Sequence, residues 1–84
     1  MSASTSVTKP ALPPNPDKMN DERAGWAGSA LDVFQFVTGT EDCDKVADLI
    51  CNLRHWCDRN GQNFERELAR GWEMYEVEVR DAAI

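Results

Sequence analysis

The sequence predicts an all-α protein: a small three-helix bundle with a disordered N-terminal tail. Three observations predict it. Between Asn20 and Arg80 the apolar residues recur at steps of three and four, the period of one face of a helix. Two breaks, Thr38-Gly39 and Asn60-Gly61, divide that span into three, each with a residue suited to a helix C-terminus. All four prolines fall within residues 1–16, ahead of the periodic region. No stretch alternates with the period of a strand, and no internal repeat is visible.

Residues 1–16 have Val7 and Leu12 as their only sizeable apolar groups beyond Met1. Such a segment buries too little to order itself, so it is expected to be a flexible tail, with residues 17–84 as the folded domain. Three helices are expected near 20–38, 42–60 and 63–80. In the first, Asn20 is placed to cap and Asp21 and Glu22 suit the positive end of the helix dipole. Ala24, Ala27, Leu31 and Phe34 form one stripe, and Trp26, Ala30, Val33 and Val37 form a second beside it. Two apolar stripes suit the most buried helix of a bundle. Gly25 and Gly28 each cost about 1 kcal/mol relative to Ala, which suggests close approach by another backbone or a frayed first turn.

The second helix organises the rest. Val46, Ile50, Leu53 and Cys57 make its stripe, opposite Asp44, Asp48, Asn52, His55 and Arg59. Thr40 or Asp42 is expected to cap it. The third begins after Asn63 and carries Phe64, Leu68, Trp72, Tyr75 and Val79, with Met74 and Val77 off the stripe. The connections favour an up-down-up path, with Leu31, Phe34, Ile50, Leu53, Leu68 and Trp72 meeting in one core.

With 84 residues and 42% hydrophobic content, the chain has room for one domain that buries only about 60% of its unfolded surface. A net charge of −6 argues against direct binding to nucleic acid, which needs Lys and Arg. It permits docking on a basic protein surface. Three cysteines cannot form a complete internal disulfide set, so reduced thiols in a cytoplasmic protein are expected. No apolar run is long enough to cross a membrane, and the N-terminus shows no secretory pattern.

The candidate chemical constellations are incomplete. Cys51 and His55 lie one helical turn apart, but a zinc site needs about four ligands. Cys43 has Glu41, Asp42 and Asp44 around it, which oppose a thiolate. His55, the single histidine, has no nucleophile beside it on its helix, and no Gly-rich phosphate loop is present. The expectation is a non-enzyme with no cofactor and no metal. Partner binding is assigned to the polar row Asp44, Asp48, Asn52 and His55, and to the apolar spot Met74 and Val77.

The segments DERAGWA, HWCDRNGQNF and ELARGWEMYEVE, spanning Asp21 to Val79, resemble small uncharacterised proteins of phages and other mobile elements of proteobacteria. Small acidic proteins of such elements include the anti-CRISPR proteins, which inhibit host nucleases by binding them. By analogy of gene type the resemblance implies a non-catalytic inhibitor in the host cytoplasm, docked on a host protein or complex; from the acidic row itself, Asp44 and Asp48 are expected to stand in for phosphates on a basic surface. The alternative is a structural or accessory homodimeric subunit using Met74, Val77 and Phe36.

Overall fold

The structure, a computed structural model, describes residues 11–80. It contains three helices, α1 (Asn20–Thr38), α2 (Lys45–Arg59) and α3 (Phe64–Val79), and no strand among the described residues. The protein is a small all-α three-helix fold, and the helices fall where the apolar periodicity places them. Of the expected tail, residues 1–10 lie outside the described residues.

The helix ends follow from local chemistry. Gly39, at φ 73°, closes α1 by donating its N–H to the Gln35 carbonyl. Few other residues adopt that left-handed conformation without strain. Glu41 to Asp44 make a turn, so α2 starts at Lys45, three residues later than expected. Asp44 is its N-cap without a side-chain capping bond. Gly61, at φ 68°, lets the chain fold back so that the Gln62 N–H reaches the Cys57 carbonyl (3.0 Å). Asn63 then caps α3 by accepting from the Arg66 N–H (2.9 Å). The expected cap at Asn20 is displaced: Asn20 is already helical, and its N–H donates to Asn15 Oδ1 (3.0 Å).

The path of the helices differs from the up-down-up expectation. Asn20 Nδ2 donates to the Glu78 carbonyl (2.9 Å), and Arg23 pairs with the Glu78 carboxylate (3.4 Å). In an up-down-up bundle the start of the first helix and the end of the third lie at opposite ends. Here they touch. Each helix therefore meets its neighbours at its ends, and the three outline an open triangle within a flat envelope of 43 × 41 × 21 Å.

The consequence is the absence of the expected core. Leu31 and Phe34 are half-buried, while Ile50, Leu53, Leu68 and Trp72 are 45–60% exposed. Among the described residues only Cys57 is buried. Helices on three edges of a triangle meet only toward their ends, whereas side-by-side helices would pack along their length.

The corners carry the polar contacts. Between α1 and α2, Asp42 accepts from Gln35 (2.9 Å) and Lys45 (3.3 Å), and Asp48 accepts from the Thr40 hydroxyl. Between α2 and α3, Arg54 pairs with Glu65 (2.7 Å) and lies over the Phe64 ring. Between α3 and α1, Arg23 binds Asp17 (3.0 Å) as well as Glu78. Pro14 and Asn15, within the expected tail, also bond Asn20 and so belong to this corner.

Hydrogen bonding to Arg23 holds the Asp17 carboxyl below its ordinary range, and hydrogen bonding to Gln35, then to Lys45, does the same for Asp42. Groups with depressed folded-state values contribute stability above the ordinary carboxylate range and lose it as pH falls through the depressed values. Melting followed by circular dichroism from about pH 5 to about pH 2 should show falling stability, and Asp17→Asn with Asp42→Asn should flatten that fall. A pH profile unchanged in the double variant would show that the corners carry none of it. Separately, Gly39→Ala should cost about 1–2 kcal/mol, the penalty of a side chain in the left-handed region.

Candidate functional site

The structure separates the six sequence-predicted site residues into two places. Asp44 and Asp48 lie in the first turns of α2, at the α1–α2 corner, with Asn52 and His55 further along the same helix, all exposed. Asp44 has an exposed carboxylate and gives its backbone carbonyl to the Asp48 N–H (2.8 Å). Asp48 is not free: the Thr40 hydroxyl donates to it. The His55 carbonyl accepts from Arg59 (3.2 Å). Met74 and Val77 instead border a shallow hollow with Pro16, Asp17, Arg23 and Glu78 at the α3–α1 corner. Phe36 is 89% exposed, but it sits in the last turn of α1, at the far end of that helix from Arg23. The apolar spot and Phe36 do not join.

The metal-ligand candidates stay apart from any closed site. Glu41, Cys43 and Asp44 bring ligand atoms within 4.8 Å of one another, all exposed, in the turn before α2. Exposed acidic groups of this kind are ordinary, and Cys51 with His55 adds nothing to them.

The most apolar hollow is one whose lining the sequence assigned to the core. Leu53 and Cys57 of α2 face Phe64, Leu68, Gly71, Trp72 and Tyr75 of α3 across an apolar groove of about 460 Å³. The α2–α3 turn positions both walls, and the Arg54–Glu65 pair links the two helices beside it. Trp72 and Tyr75 stack with ring centroids 5.4 Å apart, making a rigid aromatic wall. Tyr75 also faces a second hollow of about 420 Å³, where Leu12, Pro13 and Pro14 lie against Ala24 and Val79.

The groove is open, and its lining is the stripe pattern of two amphipathic helices. Periodicity reveals which residues seek burial. It does not reveal whether the covering surface comes from the same chain. A groove built from aliphatic and aromatic side chains has the character of a docking surface.

Comparison with family models, curated proteins and solved structures found no match.

The Thr40–Asp48 bond separates a structural carboxylate from a surface one. Asp48→Ala should destabilise the fold by about 0.5–1.5 kcal/mol, the net worth of an ordinary hydrogen bond. Asp44→Asn should leave the melting temperature nearly unchanged. Equal losses from the two variants in thermal melts would contradict the distinction.

Proposed function

We propose that this chain is a non-catalytic binding protein that folds as a homo-oligomer and docks on a host protein or complex through its acidic exterior. The single observation that carries the reading is the inverted burial. Among the described residues, fourteen large apolar side chains, drawn from all three helices and Leu12, are exposed, and only Cys57 is buried. Ordering each residue costs about 1–2 kcal/mol in backbone entropy. That cost is offset chiefly by apolar burial, and one half-covered monomer supplies too little of it. A protein of this kind gains its core on assembly, so its stability depends on protomer concentration.

Self-assembly through the apolar stripes leaves the other helix faces outside. On α2 the face opposite Val46, Ile50, Leu53 and Cys57 carries Asp44, Asp48, Asn52 and His55. With −6 per chain, an assembly multiplies a negative field that favours a basic partner surface and disfavours nucleic acid itself. The inhibitor role implied by the resemblance to small mobile-element proteins fits this arrangement. Asp44, whose carboxylate is exposed, is the residue most suited to docking. Met74 and Val77, beside a charged corner, are more suited to its rim.

Sedimentation velocity over a dilution series should show an oligomer that loses helicity as it dissociates. Trp26, Trp56 and Trp72, each more than half exposed in one copy, should shift their emission to longer wavelength in the same transition. A stable, fully helical monomer at low concentration would overturn the reading. Binding to a basic partner should weaken with salt and slow in Asp44→Lys, since steering charges act mainly on the association rate.

A further inference from the structure

Building on the homo-oligomer reading, we propose that the α2–α3 groove of each copy is filled by α1 of a second copy, in a reciprocal helix exchange.

The first argument is that α1 has a stripe with no use inside its own chain. Its Leu31 and Phe34 are half-buried. The neighbouring seam, Trp26, Ala30, Val33 and Val37, stands exposed, with Trp26, Val33 and Val37 at 62–73%. The seam steps by four, three and four residues, the spacing by which a helix presents one edge to a partner. From Ala24 to Thr38 the only charged residue of α1 is Asp32. A helix so nearly apolar on all sides is built to be buried.

The second argument is that the chain prevents its own α1 from entering its own groove. The start of α1 is bonded to the end of α3 through Asn20 and Glu78, and its end is joined to α2 through residues 39–44. The groove lies toward the opposite corner, where α2 turns into α3. The 16 residues of α3 span about 24 Å between that corner and the α1 junction. The groove and the seam that would fill it are thus held apart in one copy and are free to meet between two.

The third argument is Gly71. It lines the groove in the interior of α3, where glycine costs about 1 kcal/mol relative to Ala. A Cβ placed on it would meet nothing within 4 Å. No intrachain contact requires glycine there, whereas an incoming helix benefits from the space.

A two-fold pair buries the same patch on both copies, so one exchange fills two grooves.

The test is cross-linking between full-length chains in which Cys43 and Cys51 are replaced by Ser. Val33→Cys is introduced in one population and Leu68→Cys in another, and the two are mixed and treated with a short bis-maleimide. Peptide mapping is expected to find 33–68 links in covalent dimers. Links found only between two copies of position 33 would overturn the exchange. In parallel, Gly71→Leu adds helix propensity while filling the groove. Helicity should be kept at high concentration, and the dimer should weaken about tenfold or more, as overpacking of a filled site does. A dimer that persists at unchanged affinity in Gly71→Leu, without 33–68 links, would sink this inference and leave the homo-oligomer reading standing. A helical, unassembled wild-type monomer would remove both.

Discussion

The contact on which this structure depends joins the first turn of α1 to the last turn of α3. Asn20 reaches the Glu78 backbone, and Arg23 bridges Glu78 and Asp17. Together with two short turns, it closes the helices into a circuit. A circuit of three rigid rods is a triangle, and a triangle keeps its edges apart. Lateral helix packing, which normally brings axes to 8–10 Å along their length, is thereby confined to the corners.

This geometry inverts the usual relation between amphipathic helices and a core. In a compact bundle the apolar stripes consume one another. Here the α2 and α3 stripes form a groove, the second α1 stripe stands exposed, and the remaining contacts are hydrogen bonds and ion pairs at the surface. Exposed ion pairs contribute little individually, about 0–1 kcal/mol. Arg54 with Glu65 and Lys45 with Asp42 therefore direct the chain at its corners more than they hold it together. In the proposed homo-oligomer the stability of the fold and the act of association would be one process.

Function follows the same division of surfaces. In the proposed reading the apolar faces are directed to assembly, while the exposed carboxylates on the outer side of α2 are left for a partner of opposite charge. Asp48 shows why a sequence row is not a site. Its neighbour in sequence spacing is Asp44, but its hydrogen-bond partner is Thr40 across the turn. One carboxylate of the pair holds the corner, and the other remains open to solvent.

The three helices, their breaks at Gly39 and Gly61, the start of α3 after Asn63 and the apolar stripes were legible in the sequence. Each rests on local physics: side-chain period, backbone conformation and short-range hydrogen bonds. The starts were less legible. The turn from Glu41 to Asp44 moved the beginning of α2, and Asn15 took the role expected of Asn20. The path of the chain was not legible at all, because the same stripes serve an up-down-up bundle and an open triangle equally well. That choice rests on pairings 58 residues apart, Asn20 with Glu78, which no periodicity encodes. The sequence by itself determined which residues need to leave water. Only the tertiary structure decided that Leu53, Leu68, Trp72 and their neighbours line an open groove, because burial depends on where helices lie relative to one another and amphipathicity does not specify that.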